Sequence, residues 1–390
     1  MKSLELFAGA GGLGLGLHSA GFLPQQVIEW DKYCCDTLKE NRDRSTAGLQ
    51  HWRDIRHADV RSVSFTRFED KLDLISGGPP CQPFSLGGRH QAYDDARDMF
   101  PQAIRAVREA RPKAFIFENV KGLTRASFQN YFSYIQLQLE HPEVTARPEE
   151  QWEEHLGRLE RHHTSSQRGG LHYRVVTRLL NAADYGVPQR RERIFFVGFR
   201  DDLGLEWSFP PATHTQETLL WDQLHGDYWE RHKVATAERH IAARWMRAAE
   251  RLTGATEKQA WKTVRDAIAG LPDPAALQRS PYENHKYQPG ARSYPGHTGS
   301  PLDEPAKTLK AGVHGVPGGE NMMVKLDGSV RYFTVRESAR LQTFPDEFVF
   351  HGSWSETMRQ LGNAVPVQLA AVVGKSVASL LQSSKGEQPN

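Results

Sequence analysis

The chain has 390 residues, of which 38% are hydrophobic and 25% charged, and its net charge is +2. These values are typical of a soluble globular protein, long enough for two domains or one large one, and no apolar run approaches the roughly 20 residues of a membrane span. Three cysteines, two of them adjacent, exclude a disulfide framework and favour a reducing, cytoplasmic setting. Because the net charge is small, a nucleic-acid partner would have to be bound by local basic patches.

Strand and helix patterns alternate over residues 1–205. Strands are predicted at Ser3–Phe7, Gln26–Glu29, Leu72–Ser76, Ala114–Glu118, Arg174–Leu180 and Ile194–Phe199. The clearest helical pattern between them covers Arg97–Ala110. This alternation predicts an α/β fold whose sheet is mostly parallel and covered by helices on both faces. Ligands of such sheets bind at the carboxyl ends of the strands, so we expect the functional residues there. Since the strand pattern begins at the N-terminus, we expect no secretory signal.

Residues 141–172 interrupt the alternation and are rich in Glu, Arg and His. Five histidines lie there, at His141, His155, His162, His163 and His172. Their spacing matches no known ligand pattern and no cysteine joins them. We therefore interpret the segment as a solvated helical insertion and predict no metal site.

The composition changes after Pro211. Residues 212–328 lose the alternation, and Pro272–Gly319 is dense in Pro, Gly, Tyr and His, which predicts a second, loop-rich domain. A helix is predicted over Val234–Leu252. A last helix is predicted at Val367–Leu381, and a polar, disordered tail at Ser383–Asn390.

Cys81 lies in a stiff loop, Gly77–Ser85, directly after a predicted strand. Pro80 and Pro83 fix their own φ angles and restrict the residues before them, so the thiol is presented in a set direction. A thiolate is a strong nucleophile near neutral pH, which favours a catalytic role. The alternative is a buried structural cysteine.

A glycine-rich turn follows the first predicted strand, with the pattern G-x-G-x-x-G at Gly9, Gly11 and Gly14. Glu29 ends the next strand, where a carboxylate can bind ribose hydroxyls. The pattern predicts a nucleotide-like ligand, and both a dinucleotide and S-adenosylmethionine fit it. Phe7 and Trp30 are candidates for stacking on adenine, although each could instead pack in the core.

Two further segments carry catalytic chemistry. Glu118 ends an apolar strand, and apolar surroundings favour a neutral carboxyl that can donate a proton to a ring nitrogen. The alternative is a solvated carboxylate at a strand end. Arg190, Arg191 and Arg193 can bind a phosphate or a carbonyl. A thiolate, an acid and arginines suit addition to carbon 6 of a pyrimidine, which lets carbon 5 take a methyl group from a sulfonium donor.

The chain resembles the C5-cytosine DNA methyltransferases over about residues 3–205 and 329–375. The resemblance rests on several motifs in order: Phe7 to Gly12, Glu29-Trp30, Asp54-Ile55, Pro80-Cys81-Gln82, Glu118-Asn119-Val120, Gln189 to Arg193, Arg331 to Phe348, and Gly362 to Pro366. It implies a Rossmann-like S-adenosylmethionine-dependent methyltransferase domain with a smaller, loop-rich target-recognition domain. The implied boundaries are 1–205 for the catalytic domain, 206–328 for target recognition and 329–390 for the structural motif and returning helix.

The resemblance also implies the site residues. The catalytic residues are Cys81 as nucleophile, Glu118 on the cytosine edge, Arg193 on the base carbonyl and Arg191 in support. The cofactor-binding residues are Phe7, Gly9, Gly11, Gly12, Glu29, Trp30, Asp54, Ile55, Pro80 and Asn363. The DNA-binding residues are Ser85, Arg97, Thr308 and Leu309, with His314–Gly319 as a loop facing the groove.

The implied reaction is transfer of a methyl group from S-adenosylmethionine to carbon 5 of a flipped-out cytosine in a specific double-stranded DNA sequence, through a covalent adduct with Cys81. We expect the loop Ser85–Asp98 to close over the DNA. We also expect a cytoplasmic monomer that modifies DNA in a restriction–modification system, with a cognate endonuclease as a possible second component.

Three alternatives remain open at the level of sequence. A nicotinamide-dependent oxidoreductase could use the same glycine turn, but the Pro-Cys-Gln loop argues against it. Methylation of RNA by the same fold is disfavoured by the long segment 212–328, since duplex sequence is read by a separate module. A catalytically silent DNA-binding homologue conflicts with the joint presence of Cys81, Glu118, Arg191 and Arg193.

Overall fold

A seven-stranded sheet forms the centre of the computed structural model, which describes residues 1–81, 98–165, 169–239, 241–276, 280–295, 298–311 and 321–386. Its strands are β1 (Lys2–Leu6), β2 (Leu23–Glu29), β3 (Ile55–His57), β4 (Leu74–Gly77), β5 (Ala114–Val120), β6 (Tyr173–Asn181) and β7 (Glu192–Arg200). They lie in the order β3-β2-β1-β4-β5-β7-β6. Only β7 runs antiparallel to its neighbours in this sheet. The predicted α/β fold with a mostly parallel sheet is therefore confirmed.

All six predicted strands are present, with ends that differ by up to three residues. The seventh strand, β3, was not predicted because only Ile55 of its three residues is buried and apolar. The remaining short strands are β8 (His214–Thr215), β9 (Gln259–Ala260), β10 (Ser300–Pro301), β11 (Met322–Val324) and β12 (Val330–Tyr332). They form a two-stranded sheet, β8-β9, and a three-stranded sheet, β10-β11-β12.

The helices cover both faces of the central sheet, as predicted. They are α1 (Gly12–Ser19), α2 (Lys32–Asp43), α3 (Phe100–Ala110), α4 (Gln129–Glu140), α5 (Trp152–Thr164), α6 (Gln216–His225), α7 (Tyr228–Arg231), α8 (Ala243–Ala249), α9 (Val264–Ile268), α10 (Val335–Leu341), α11 (Trp354–Asn363) and α12 (Val367–Gly386). One face packs against α3, α4 and α5, where Phe100, Ile135 and Leu159 are fully buried. The other face packs against α1 and α12. The helix predicted over Arg97–Ala110 begins only at Phe100.

Helices α1 and α12 approach each other so closely that glycine is required between them. A Cβ atom at Gly12 would lie 2.2 Å from the carbonyl oxygen of Val365, and one at Gly16 would lie 2.4 Å from that of Val367. Because both neighbouring atoms belong to the backbone, a side chain could not be accommodated by a rotamer change. The C-terminal helix thus packs directly behind the glycine-rich turn.

The C-terminal region departs from prediction at its end. Helix α12 continues through Gly386, so the disordered tail predicted from Ser383 is wrong for the described residues. The segment Trp354–Ser384 is long enough to span a membrane, and its most apolar window has a mean hydropathy of 1.6, but 56% of that window is buried inside the protein. Its apolar residues, among them Leu369 and Val373, lie in the core against the sheet. Burial in the core therefore accounts for its apolar character.

Two predictions for the segments outside the sheet need correction. The helix predicted over Val234–Leu252 is reduced to α8, because Ala249 alone of its residues is buried and little core is available to stabilise a longer helix. The segment 141–172 contains a helix, α5, as predicted, but it is not solvated on all sides. His155 and Leu159 of α5 are buried, because α5 packs against α4.

Buried charged residues fix the segment Arg331–Phe348. The Arg331 guanidinium donates to both carboxylate oxygens of Glu337, at 2.7 and 2.6 Å. Glu337 also accepts from the backbone N–H of Thr334, whose hydroxyl caps α10. Arg336 is fully buried and donates to the carbonyls of Glu283, Pro345 and Phe348. The charges of this motif therefore stabilise structure, in agreement with its expected structural role.

Candidate active site

Cys81 lies four residues after the end of β4, at the carboxyl edge of the sheet. Its backbone forms an antiparallel bridge with Asp98, and the Pro80 carbonyl accepts from the N–H of Met99 at 2.9 Å. The Cys81 side chain is buried. Burial, together with the negative charge of Asp98, raises the pKa of the Cys81 thiol and so favours its protonated form. The predicted DNA contacts Ser85 and Arg97, and most of the predicted mobile loop, lie outside the described residues.

Glu118 lies near the carboxyl end of β5, the strand beside β4, and so lies at the same edge as Cys81. The Nε atom of Arg193 on β7 lies 2.8 Å from Glu118 Oε1. Burial raises the pKa of Glu118, and the positive charges of Arg193 and Arg191 oppose this effect. The other carboxylate oxygen faces Gly78, where an added Cβ atom would lie 3.2 Å from Oε2. The sequence predicted the carboxyl in apolar surroundings but not the contribution of Gly78.

Asn119 connects the Glu118 strand to the Cys81 loop. The Asn119 side-chain Nδ2 donates to the carbonyl of Pro79 at 2.9 Å, and the side-chain Oδ1 accepts from the backbone N–H of Val120 at 2.8 Å. The position of the loop relative to β5 is thus fixed by a buried hydrogen bond. Asp98 is held in turn by the hydroxyl of Tyr131, which donates to its carboxylate. Asp98 and Tyr131 are neighbours of the nucleophile that sequence reasoning missed, since nothing in the local sequence indicates their contact.

Arg191 is fully buried and links three parts of the chain. Its Nη1 donates to the Leu309 carbonyl at 3.0 Å and its Nη2 to the Gly362 carbonyl at 2.7 Å. Gln189 completes this junction, because its Oε1 accepts from the N–H of Leu309 at 3.0 Å. Arg191 therefore positions the end of α11 and the segment around Leu309 relative to β7.

The segment Lys307-Thr308-Leu309 lies against the arginine motif. The Thr308 hydroxyl donates to the Arg190 carbonyl at 2.7 Å. The Leu309 side chain is buried in a small core with Val264 and Phe333. Both predicted DNA contacts therefore lie next to the catalytic edge, while the loop His314–Gly319 lies outside the described residues.

The glycine-rich turn follows β1 and is closed by Glu29. Phe7, Gly9 and Gly11 all adopt positive φ angles, of 52°, 53° and 86°. A left-handed conformation is uncommon for an aromatic residue and marks a constrained turn. Glu29 accepts from the N–H of Gly9 at 2.6 Å and from that of Asp31 at 2.7 Å. Burial raises the pKa of Glu29, and these two hydrogen bonds oppose the effect.

The surroundings of this turn fit an adenosine-like group. Trp30 is 64% exposed, which favours a ligand-stacking role over core packing. Nothing lies within 4 Å of a Cβ atom built on Gly9, so the turn has open space beside its backbone. Asp54 has a partly exposed carboxylate that accepts from Gln26 Nε2 at 2.5 Å. Of the remaining predicted cofactor residues, Pro80 and Asn363 are exposed and Ile55 is buried.

The second and third glycines of the fingerprint have a packing role. A Cβ atom at Gly11 would lie 2.7 Å from Leu38 Cδ2, and one at Gly14 would lie 2.6 Å from Trp52 Cη2. Trp52 is completely buried beneath the turn. Sequence reasoning missed Trp52, whose only signal was its position two residues before Asp54.

A family model described as C-5 cytosine-specific DNA methylase matches residues 1–142 and 161–379. The chain belongs to the C-5 cytosine-specific DNA methylase family. It is therefore a DNA (cytosine-5-)-methyltransferase, an enzyme that requires a methyl donor, and the oxidoreductase alternative is wrong. The unmatched internal residues, 143–160, contain the first part of α5.

Curated relatives match this methylase over nearly its whole length. Type II methyltransferase M.PspPI from a Psychrobacter species is 32% identical, covering 98% of this chain and 80% of the relative. Type II methyltransferase M.Eco47II from Escherichia coli is 31% identical, with 97% and 79% covered. Type II methyltransferase M.NgoMIV from Neisseria gonorrhoeae is 31% identical, with 97% and 98% covered.

Solved structures support the fold. A putative DNA modification methyltransferase encoded within a prophage of E. coli has a TM-score of 0.58 and 22% identity, and covers 98% of this chain and 99% of its own. Dnmt2 methyltransferase from S. pombe has a TM-score of 0.54 and 17% identity, with the same coverage. At these identities the likeness concerns architecture, and it confirms the predicted Rossmann-like methyltransferase fold.

Proposed function

We propose that this methylase transfers a methyl group from S-adenosylmethionine to carbon 5 of a flipped-out cytosine in a specific double-stranded DNA sequence, through a covalent bond to Cys81. The observation that carries the proposal is the buried pair of Glu118 and Arg193, at the end of the strand beside the Cys81 loop. A carboxyl and a guanidinium side by side match the N3 atom and the carbonyl oxygen of cytosine.

The glycine-rich turn and its neighbours are the proposed donor site. When bound, S-adenosylmethionine supplies an electrophilic methyl group carried on a sulfonium. Each carboxylate oxygen of Glu29 has two lone pairs, so the carboxylate can bind ribose hydroxyls besides the N–H groups of Gly9 and Asp31. Phe7 and Trp30 offer aromatic faces to adenine, and Asp54 offers an acceptor to its amino group. Gly9, Gly11, Gly12, Ile55, Pro80 and Asn363 complete the proposed site.

Cys81 begins the reaction by adding to the base. Its sulfur forms a bond to carbon 6, the electron pair of the C5–C6 double bond moves towards carbon 5, and Glu118 donates a proton to N3. Carbon 5 then forms a bond to the methyl group as the bond between that methyl group and the donor's sulfonium sulfur breaks, so that S-adenosylhomocysteine is the leaving group. Water takes the proton from carbon 5, the electron pair of that C–H bond restores the C5–C6 double bond, the sulfur leaves carbon 6 as a thiolate, and the N3 proton returns to Glu118. Arg193 holds the base carbonyl throughout, and Arg191 supports it.

The Cys81 thiol must lose its proton before it attacks. In the present arrangement burial and Asp98 hold that proton in place. We expect DNA binding to separate Cys81 from Asp98, which removes the nearby negative charge and lowers the thiol pKa. The loop Ser85–Asp98 begins four residues after Cys81 and ends at Asp98. Closure of this loop over the DNA would therefore move Asp98 relative to Cys81.

We assign residues 1–205 to catalysis, 206–328 to target recognition and 329–390 to the structural motif and returning helix. Thr308, beside the arginine motif, together with Ser85 and Arg97 are the proposed DNA contacts, whereas Leu309, whose side chain is buried, supports Thr308 from the core in place of the predicted direct contact. The Type II names of the relatives support a role as the modification enzyme of a restriction–modification system. We expect it to act as a cytoplasmic monomer beside a separate cognate endonuclease.

Mass spectrometry of nucleosides tests the reaction. The protein is incubated with unmethylated mixed-sequence duplex DNA and S-adenosylmethionine, with Cys81→Ser in parallel, and structured RNA serves as a second substrate. We expect 5-methylcytosine in DNA with the intact protein only, and bisulfite sequencing then identifies the site. Full methyl transfer by Cys81→Ser would contradict the role of Cys81, and methylation of RNA alone would contradict the DNA substrate.

A further inference from the structure

Several histidines of the segment 141–172 lie close together in the structure, although their spacing along the sequence does not indicate a shared site. Glu140 and His141 lie at the end of α4, and His163 lies in the last turn of α5. His163 Nδ1 lies 3.1 Å from His141 Nε2 and 3.2 Å from Glu140 Oε2. The three potential ligand atoms lie within 4.8 Å of one another. The helix packing thus brings together two imidazoles and a carboxylate.

These distances are close to those around a tetrahedral ion. With bonds of about 2.0–2.2 Å from zinc to nitrogen and oxygen, neighbouring ligand atoms are separated by about 3.3–3.6 Å. The two shortest separations here are smaller by a few tenths of an ångström. A modest movement of the side chains would therefore accommodate the ion.

Hydrogen bonds within this cluster do not satisfy all the polar atoms of Glu140, His141 and His163. His163 Nδ1 has either one hydrogen or one lone pair, so it forms a full hydrogen bond with only one of its two neighbours. Glu140 Oε2 is buried and accepts no hydrogen bond among the described residues. A cation placed between the three atoms would satisfy all of them, since each would direct a lone pair at it.

The surroundings add ligands and a favourable potential. The rings of His162 and His172 both lie 4.8 Å, centroid to centroid, from the ring of His141. The cluster lies at the C-terminal ends of α4 and α5, and the partial negative charge of a helix C-terminus stabilises a nearby cation. The nearby guanidinium groups of Arg111, Arg174 and Arg200 are each paired with a carboxylate.

We propose that Glu140, His141 and His163, with His162 or His172 as a fourth ligand, bind one divalent transition-metal ion. Imidazole and carboxylate ligands suit Zn²⁺. The ion would join the ends of α4 and α5 and so hold the insertion on the sheet, away from Cys81. His155 is excluded as a ligand, because its Nδ1 pairs with the Tyr134 hydroxyl and its Nε2 with the Val144 carbonyl, both at 2.8 Å.

Metal content of the full-length protein without a histidine tag tests the proposal. The chain is treated with chelator, incubated with Zn²⁺, desalted and measured by plasma mass spectrometry. We expect roughly one tightly bound ion per chain, with an affinity at least about tenfold lower in His163→Gln. Since the His163 side chain is 48% exposed, its replacement should leave the fold intact. His225→Gln, an exposed histidine on α6, is the matched control and should retain the ion.

Two further readouts exclude binding by cysteine. With Co²⁺, the intact protein should show the intense visible bands of a tetrahedral site without thiolate charge-transfer absorption. Zn²⁺ should raise the melting temperature of the intact protein and of His225→Gln but not that of His163→Gln. An intact protein that binds no zinc, or equal zinc binding by His163→Gln and the intact protein, would overturn the proposal.

Discussion

Nε of Arg193 lies 2.8 Å from Oε1 of Glu118, and both side chains are almost completely removed from solvent. Burial favours the neutral form of Glu118, while the guanidinium favours its carboxylate, so the two influences oppose each other at one oxygen. If a cytosine carbonyl accepts a hydrogen bond from Arg193, the positive charge of Arg193 is shared between that carbonyl and the Glu118 carboxylate. We therefore expect base binding to raise the pKa of Glu118 further, which would supply the proton that N3 requires.

Glu118→Gln should abolish the acid while keeping a group of similar shape. We expect the single-turnover rate of methyl transfer to fall by about 10²–10⁴ with little change in DNA affinity. In the intact enzyme, loss of the Glu118 proton should reduce the rate at high pH, and this dependence should be absent in the variant. Rapid-quench rates across a pH series measure both. Glu192→Gln, at an exposed residue paired with Lys121, is the control and should react normally; a normal rate for Glu118→Gln would exclude the acid role.

Replacement of Arg191 should mainly lower the stability of the fold, whereas replacement of Arg193 should mainly lower the rate of methyl transfer. Arg191→Gln leaves the carbonyls of Leu309 and Gly362 without their charged donor, so we expect the free energy of unfolding to fall by about 2–4 kcal/mol. Arg193→Gln should lower the methyl-transfer rate with a smaller loss of stability, because burial favours a neutral Glu118 once the cation is gone. Urea unfolding and single-turnover rates of both variants measure this contrast, and a greater loss of stability for Arg193→Gln would refute it.

Trp30→Ala should separate donor binding from stability. Because Trp30 is 64% exposed, we expect its removal to change the free energy of unfolding by less than about 0.5 kcal/mol. Loss of one aromatic face should weaken binding of S-adenosylhomocysteine by roughly 1 kcal/mol, about fivefold. Calorimetric titration measures the affinity, with Met246→Ala as a control at another exposed apolar residue. Unchanged affinity in Trp30→Ala would remove this residue from the donor site.

Glu5 should make stability fall as the pH rises. Its carboxyl is buried in β1, accepts a hydrogen bond from the Ser76 hydroxyl, and has its pKa raised by burial from 4.5 to about 8. Between these values the folded state holds a proton that the unfolded state has lost, so raising the pH favours unfolding by up to about 1.4 kcal/mol per pH unit. The loss should begin near pH 4.5 and be complete above about pH 8.

Glu5→Gln has no proton to lose at this position. Urea unfolding at several pH values should therefore show the intact protein losing stability relative to the variant between pH 5 and pH 8. Glu153→Gln, at an exposed position on α5, should follow the intact protein across the range. A constant difference between the intact protein and Glu5→Gln would show that Glu5 ionises normally in the folded state.

The sequence predicted the central sheet because β1, β4, β5 and β7 are buried on both faces and their sequences are apolar runs. It missed β3, where Ile55 is the only buried residue, and it placed too long a helix around α8, where Met246 is exposed. Hydrophobic periodicity is read from one segment at a time. Whether β3 and the helix around α8 form depends instead on how much apolar surface the neighbouring segments offer for packing.

The sequence predicted those site residues that belong to short motifs at or after the ends of strands, such as Cys81 and Glu118. Contacts between distant segments could not be predicted. Gly78 beside Glu118, and the convergence of His141 and His163, arise from packing of β4 on β5 and of α4 on α5. Such pairs carry no signal in a single sequence, because their separation along the chain differs from any recognised spacing.

Covalent capture of Cys81 tests the central claim most directly. Duplex DNA that contains the methylated site with 5-fluorocytosine in place of the target cytosine is incubated with the protein and S-adenosylmethionine. The fluorine at carbon 5 cannot leave as a proton does, so the bond between sulfur and carbon 6 should persist. We predict a denaturant-resistant protein–DNA complex whose cross-linked peptide contains Cys81, and none with Cys81→Ser. Methylation of ordinary DNA without any captured complex, or a cross-link at another residue, would contradict the account.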